Sequence, residues 1–195
     1  MTNGFTKLKS PYWPSSLHYA SVKGDVKKFE DLASKKTIKN PKDDSNLTPL
    51  HYAARKGHLD ICSFIIEQLL TNFEDKNPKA GRNWTPLHLA AKYGHLEVCK
   101  LIMKHLEDKN PPNISGVTPL HLASMRGHFE VCEFITANVT NKNPADNVGT
   151  TPVHVASFFK RCEVVRLFTK FVKPIELIGN NDFINKFYNS TQFYN

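Results

Sequence analysis

The chain has 195 residues, of which 40% are hydrophobic and 23% are charged, a composition that excludes disorder and suits one domain with a substantial core. The formal net charge of +8 favours acidic partners and is also compatible with nucleic acid or anionic lipid. No apolar run approaches the ~20 residues that span a membrane. The N-terminal sequence MTNGFTKLKSPYWPSS lacks the apolar stretch of a signal peptide, so we expect a cytoplasmic or nuclear protein.

A repeated pattern follows residues 1–9, which we treat as an N-terminal extension. The sequence TPLH starts at Thr48, Thr85 and Thr118, TPVH starts at Thr151, and a weaker copy, SSLHYA, starts at Ser15. The starts are separated by 33, 37, 33 and 33 residues. Two further markers keep this register, because KNP precedes each of the last four starts and Gly-His follows in the three middle copies. Three markers in one register define an internal repeat of five copies.

Each copy predicts two short helices. Thr is a good N-cap, and the Pro after it suits the first helical position. In the third copy, LHLAAKYG predicts a first helix that ends at Gly94, where the chain turns with a positive φ, and HLEVCKLIMKHL predicts a second, amphipathic helix. The spacing of 37 indicates four additional residues in the second copy, about one helical turn. We place this extra turn at residues 71–74, and a longer loop is the alternative.

These residues closely resemble the ankyrin repeat over roughly residues 10–173. The resemblance implies an all-α solenoid of five helix-turn-helix repeats joined by β-hairpin loops, with repeats at about 10–42, 43–79, 80–112, 113–145 and 146–173. We expect residues 174–195 to form a C-terminal cap, in which residues 175–189 fold back as a short helix. The alternative is that this segment begins further repeats.

The two ends of the array differ from its middle. The second predicted helix of the first copy has Lys28 and Asp31 at positions that are apolar in the inner copies. Polar residues are required there if this copy caps the N-terminal end of the array. The fifth copy has Lys160-Arg161 in place of Gly-His. We therefore expect the turn between its helices to depart from the family geometry.

Eight of the nine histidines and all four cysteines fall at repeat positions. Equivalent positions in stacked repeats lie about 8–10 Å apart, which is too far to share a metal ion or a disulfide. We expect reduced core cysteines at Cys62, Cys99, Cys132 and Cys162. The resemblance implies hydrogen bonds within and between repeats from His18, His51, His88, His121 and His154. Because no catalytic constellation lies outside the repeat pattern, we expect no enzyme activity, no cofactor and no metal.

An asparagine precedes each of the last four repeat starts by eight residues, at Asn40, Asn77, Asn110 and Asn143. The resemblance matches these residues to the hairpin asparagine that asparaginyl hydroxylases modify in some family members. The preference of asparagine for tight turns explains them without modification, and we favour that interpretation.

The resemblance also implies a binding surface, because ankyrin arrays bind proteins through hairpin tips and the concave face of their first helices. The expected partner-binding residues are Lys42, Arg55, Lys56, Lys79, Arg82, Trp84, Lys92, Tyr93, Met125, Arg126, Phe158 and Phe159. We expect a monomeric adaptor or inhibitor that binds an acidic, partly apolar protein segment, with Trp84 and the paired phenylalanines exposed as contacts. One alternative is a basic protein that binds nucleic acid or a membrane surface. Another is that the tail covers Phe158 and Phe159 and the charges only keep the array soluble.

Overall fold

A computed structural model describes residues 16–35, 40–70 and 76–172, which form ten α-helices in five consecutive pairs. The first helices are α1 (Leu17–Lys23), α3 (Pro49–Lys56), α5 (Pro86–Tyr93), α7 (Pro119–Arg126) and α9 (Pro152–Phe158). The second helices are α2 (Val26–Ser34), α4 (Leu59–Ser63), α6 (Leu96–Met103), α8 (Phe129–Ala137) and α10 (Cys162–Phe168). Each helix packs against the other helix of its pair and against the equivalent helix of the next pair. The predicted all-α repeat solenoid is confirmed.

The loops between pairs are tight turns, and the described residues contain no β-strand, which corrects the expected β-hairpins. In the fourth repeat the Asn113 amide donates to the Val117 carbonyl at 2.9 Å. The Asn113 side-chain oxygen accepts from the amides of Ser115 and Val117 at 2.9 and 3.1 Å. Because the side chain takes up these amides, the loop closes within five residues and leaves no room for a strand ladder.

The start of each first helix satisfies backbone groups that the helix itself leaves without partners. In α5 the N-cap hydroxyl of Thr85 accepts from the His88 amide, and the next position, Pro86, has no amide hydrogen. The Leu87 amide donates to the side-chain oxygen of Asn77 at 3.0 Å. The same bond joins Asn40, Asn110 and Asn143 to the helix that follows each of them. The repeated asparagine is therefore a second N-cap supplied from the preceding loop.

The lysine of the KNP sequence stabilises the other end of the preceding repeat. Lys76 donates to the carbonyl of Ile66 at 2.7 Å, Lys109 donates to Met103, and Lys142 donates to Thr136. A cation at a helix C-terminus pairs with free carbonyls and with the negative end of the helix dipole. One short sequence thus ends one helix and starts the next.

The first set of histidines joins each repeat to the one after it, as predicted. In His51 the Nδ1 atom accepts from the Thr48 amide at 3.1 Å, so the proton of the neutral ring lies on Nε2. That nitrogen donates to the carbonyl of Trp84 in the next repeat at 3.2 Å. Equivalent bonds join His18 to Leu47, His88 to Val117 and His121 to Thr150, at 3.0 to 3.2 Å.

The second set of histidines reaches in the opposite direction, to the first helix of the preceding repeat. His58, His95 and His128 bond the carbonyls of Val22, Arg55 and Lys92 at 3.1 to 3.2 Å. The glycine before each histidine leaves room for the next ring, since a Cβ on Gly94 would lie 2.7 Å from Nδ1 of His128. Every inner repeat is therefore bonded both forwards and backwards.

The fifth repeat keeps this geometry without Gly-His, which corrects the expected departure. Lys160 adopts the left-handed conformation of the missing glycine, with a φ of 55°. Arg161 replaces the histidine, and its Nε donates to the carbonyl of Met125 at 3.0 Å. In the inner repeats a histidine donates to a carbonyl near the end of the preceding first helix. In the fifth repeat the guanidinium N–H of Arg161 is that donor.

The core lies between the two layers of helices. Cys62, Cys99 and Cys132 are buried free cysteines, and burial raises the pKa of Cys62 and Cys132 to about 12. Cys162 is free but exposed, so its placement in the core was wrong. It occupies the position of Leu59, which is itself 38% exposed, at the start of the second helix where the chain faces solvent.

The second repeat differs in the winding of its second helix. After α4 the chain continues as a π-helix over Phe64–Leu69 and becomes extended at Leu70. The wider winding keeps Ile65 and Ile66 buried while it takes up part of the longer sequence. The extra turn predicted at residues 71–74 lies outside the described residues.

Lys28 and Asp31, from which the sequence predicts an N-terminal cap, lie on α2, and the cap itself stays a prediction. Asp31 is exposed on α2 and forms a salt bridge with Lys35 at 2.6 Å, and Lys28 is half-buried. The N-terminal extension and the tail, including the predicted helix at 175–189, lie outside the described residues.

The buried histidines make stability depend on pH. Burial lowers the pKa of His51, His88 and His121 to about 4, from an ordinary value near 6.5. The unfolded chain therefore binds protons that the folded chain excludes between those values, and stability present above about pH 6.5 is lost as the pH falls towards 4. Each histidine contributes a slope of up to about 1.4 kcal/mol per pH unit.

We expect urea titrations of the wild type to show this loss across that range and His88→Gln to show a shallower slope. Exposed His105 provides the control, since its pKa is lowered less than that of His88 and His105→Gln should change the slope less than His88→Gln does. A free energy of unfolding that stays constant across the range contradicts the histidine ladder.

The asparagine cap predicts a second difference in stability. Asn110→Ala removes the acceptor of the Leu120 amide, which is buried, and should lower the free energy of unfolding by about 1–3 kcal/mol. Glu107→Ala, at an exposed loop position, should cost less than ~0.5 kcal/mol. Equal losses in the two variants, measured by urea denaturation, would refute the capping role.

Candidate functional site

The five first helices lie side by side in one layer, and the second helices form the other. The C-terminal ends of the first helices and the tips of the loops before them together form what we call the first-helix surface. Most of the residues that the sequence predicts to bind a partner belong to it. The side chains that form the repeat contacts, namely the N-cap threonines and the first-set histidines, are largely buried beneath it.

The predicted binding residues fall into three groups by exposure. The exposed residues are Lys42, Lys56, Lys79, Arg82, Arg126 and Phe158. The half-buried residues are Arg55, Tyr93 and Phe159. The buried residues are Trp84, Lys92 and Met125. The expectation that Trp84 is an exposed contact was therefore wrong, and Lys92 and Met125 are likewise not free on the surface.

Trp84 is buried because of its position before a helix cap. It is 0% exposed and packs with Leu89, the fourth residue of α5. Val117 and Leu122 form the same pair at the start of α7. A contact between the residue before the N-cap and the fourth helical residue is a hydrophobic staple. Leu47 and Val117, apolar residues immediately before Thr48 and Thr118, were the sequence signal that could have placed Trp84 inside.

A second, smaller apolar cluster therefore lies under the middle of the first-helix surface. Its buried members are Trp84, Leu89, Val117, Leu122, Met125 and Val155. Phe159 is partly buried against it, and the ring of Phe158 stands edge-on to Phe159 with centroids 5.1 Å apart. Phe158 is 41% exposed, so the surface becomes apolar at its C-terminal end.

Positive charge converges above this cluster. The Lys92 side chain is 1% exposed, and its Nζ lies 5.6 Å from the centroid of the Trp84 ring and 5.9 Å from that of Tyr93. The Arg55 guanidinium lies 5.2 Å from the centroid of the Tyr93 ring. Burial, together with the smaller effect of the nearby charges of Arg126 and Arg55, lowers the pKa of Lys92 to about 8. Three successive first helices thus each contribute one cation to the same region.

The loop that carries Arg82 has an unusual backbone. Ala80 replaces the Asp or Asn that closes the other described turns, and both Arg82 and Asn83 have a positive φ, 57° and 59°. Non-glycine residues rarely adopt this conformation. The Arg82 guanidinium donates to the Ser115 hydroxyl at 3.1 Å. The backbone carbonyl of Arg82 accepts from the Ile114 amide at 3.2 Å. The next loop therefore holds this turn in place.

The described residues meet the requirements of neither a metal site nor a membrane-spanning helix. Within residues 16–35, 40–70 and 76–172, no group of three or more His, Cys, Asp or Glu side chains is placed to hold a metal ion. No helix in the same ranges is both long and apolar enough to cross a bilayer. The ring nitrogens of the inner histidines are already engaged by carbonyls and amides.

The helix pairs, their two-way histidine links and their capped starts define a helical repeat protein of the solenoid class. A family model described as ankyrin repeats (3 copies) matches residues 17–113 and 102–174, and the chain belongs to the ankyrin repeat family. It is similar to human ankyrin repeat domain-containing protein 7, with 45% identity over 53 residues. That match covers 27% of this chain and only 21% of the relative's length. Ankyrin repeats are protein-protein interaction modules, and the family is typically non-enzymatic.

The burial of Trp84 predicts that it stabilises the fold. Trp84→Ala should lower the free energy of unfolding by about 3–5 kcal/mol, because it opens a cavity beneath the first-helix surface. Phe158→Ala, at a position that is 41% exposed, should change stability by less than ~1 kcal/mol. Urea denaturation measures both, and a Trp84→Ala variant with wild-type stability would contradict its place in the core.

Proposed function

We propose that the protein is an intracellular adaptor or inhibitor that binds an acidic, partly apolar segment of another protein along the first-helix surface. The observation that carries this proposal is the convergence of Arg55, Lys92 and Arg126 above the buried apolar cluster that contains Trp84. Carboxylates are the complementary groups for such a region, and guanidinium pairs with carboxylate in a specific, bidentate geometry.

The apolar part of the proposed partner follows from the end of the same surface. Phe158, which is exposed, ends α9, and half-buried Phe159 follows it as the C-cap. Both lie next to the charged region on α7, because α9 packs against α7. Aromatic and arginine side chains together are enriched where protein interfaces gain most of their affinity. A partner segment with acidic residues followed by apolar ones would match the order of the surface from α3 to α9.

The buried residues support the surface indirectly. Trp84 and Met125 belong to the buried apolar cluster, and the Lys92 ammonium lies over the Trp84 ring. The Arg55 guanidinium lies over the ring of Tyr93. A rigid arrangement loses less conformational entropy on binding than scattered flexible lysines would.

The net charge of +8 favours one other candidate, a protein that binds nucleic acid or an anionic membrane surface. Salt distinguishes the two. Binding dominated by phosphate contacts weakens steeply and linearly with the logarithm of salt concentration, whereas a shape-specific protein interface tolerates moderate salt.

Charge reversal tests the proposed surface. A binding partner is first recovered by affinity pull-down with mass spectrometry, and its affinity for the purified full chain is then measured. Arg55→Glu combined with Arg126→Glu should weaken binding at least tenfold, since a loss of ~1.4 kcal/mol has that effect. Lys92 stays unchanged in this variant, because an acidic residue at a buried position would test folding instead of binding.

The matched control is Lys27→Glu combined with Lys104→Glu, which changes the charge equally at exposed positions of the second-helix layer. This variant should bind with an affinity close to wild type. If the Arg55 and Arg126 variant also binds with wild-type affinity, the first-helix surface is not the binding site.

A further inference from the structure

Arg55, Lys92 and Arg126 come from α3, α5 and α7, three consecutive first helices. Repeat stacking fixes their separation, because α5 packs against both neighbours and its backbone at Lys92 is bonded by His128 at 3.1 Å. The three cations therefore belong to one rigid region of the surface and not to three independent flexible side chains.

In the protein without a ligand, the burial of Lys92 and its repulsion by two arginines raise the free energy of this arrangement. The Lys92 ammonium is removed from water, and the charges that act on it from α3 and α7 are the guanidinium groups of Arg55 and Arg126. Each of these influences disfavours the protonated form of Lys92. A bound anion would offset all of them, so the region gains more from an anion than an exposed lysine and arginine pair would.

The aromatic rings define the shape of the region. Arg55 is positioned against Tyr93, and the Lys92 ammonium lies between the rings of Tyr93 and Trp84. A planar guanidinium held against a ring presents its N–H edge outward, where it matches the two oxygens of a carboxylate. Arg126 is exposed on α7, close enough for its charge to act on Lys92, and is accessible to a ligand.

We propose that Arg55, Lys92 and Arg126 form a single carboxylate-binding site, in which the two arginines contact an Asp or Glu side chain of the partner above the Lys92 ammonium. This site rests on the proposed function, since it assigns the acidic group of the partner to a definite place on the first-helix surface. The exposed lysines of the second-helix layer have no comparable buried cation beneath them among the described residues.

The site has a measurable consequence, because carboxylate binding should be coupled to proton uptake. The pKa of Lys92 is about 8 in the free protein, and a carboxylate above it raises that pKa. The ligand thus prefers the protonated form, and affinity should fall about tenfold between pH 7 and pH 9. The groups that act on Lys92 include Arg55 from α3, Arg126 from α7, Tyr93 on its own helix and the Trp84 ring before that helix. His128, bonded to its carbonyl, has a pKa lowered by burial and is neutral throughout this range.

The test uses the full chain and a fluorescein-labelled peptide that interleaves Glu with Phe, with binding followed by anisotropy at low ionic strength. We expect wild-type affinity to fall about tenfold from pH 7 to pH 9. Arg126→Gln should weaken binding at least tenfold at pH 7, while Lys92→Met should bind with little dependence on pH. Because Arg126 is exposed, its variant tests the site independently of how well Lys92→Met folds.

Parallel titrations use inorganic phosphate and a single-stranded oligonucleotide of equal charge. Weaker binding of both supports a carboxylate site, whereas tighter binding of either, with the same dependence on Arg126, overturns it in favour of phosphate. Peptide binding that depends neither on pH nor on Arg126, or an absence of peptide binding, also overturns the site. Those last outcomes leave the proposed function to be judged separately, by the charge-reversal variant and the captured partner.

Discussion

Each first helix begins with backbone amides that have no partner inside the helix, and the whole array depends on how those amides are satisfied. In α5 a threonine hydroxyl, an asparagine oxygen and a proline account for the amide groups after the cap. The histidine three residues after the cap then has one nitrogen directed to the cap and the other to the next repeat. Local capping and the stacking of repeats are therefore parts of one hydrogen-bond network.

This network determines which side chains are left for function. The cap, the histidines and the staple residues are occupied by structural contacts, so Trp84 belongs to the fold although its residue type is common at interfaces. Among the described residues, the last side chains of the first helices take no part in the caps or the histidine links, although Arg55 contacts the Tyr93 ring of the next repeat. Arg55, Tyr93 and Arg126 lie there, and their chemistry is free to differ from that of any other array.

The fifth repeat shows that the network is set by geometry and not by residue identity. Lys160 and Arg161 reproduce the left-handed turn and the backward hydrogen bond that Gly-His provides elsewhere. A left-handed lysine costs some backbone strain, which the packing of the fourth and fifth repeats must offset. The stacking geometry therefore constrains the backbone more strongly than the local sequence does.

The sequence by itself determined the repeat length, the helix starts and the structural use of the histidines, because those features depend on short-range chemistry repeated in register. It also identified which residues stand near the ends of the first helices. Only the tertiary structure decided that Trp84 and Lys92 are buried, that Cys162 is exposed, and that Arg161 makes the backward hydrogen bond of the histidine it replaces. Burial depends on what the neighbouring repeat places above a side chain. A pattern within one repeat does not contain that information.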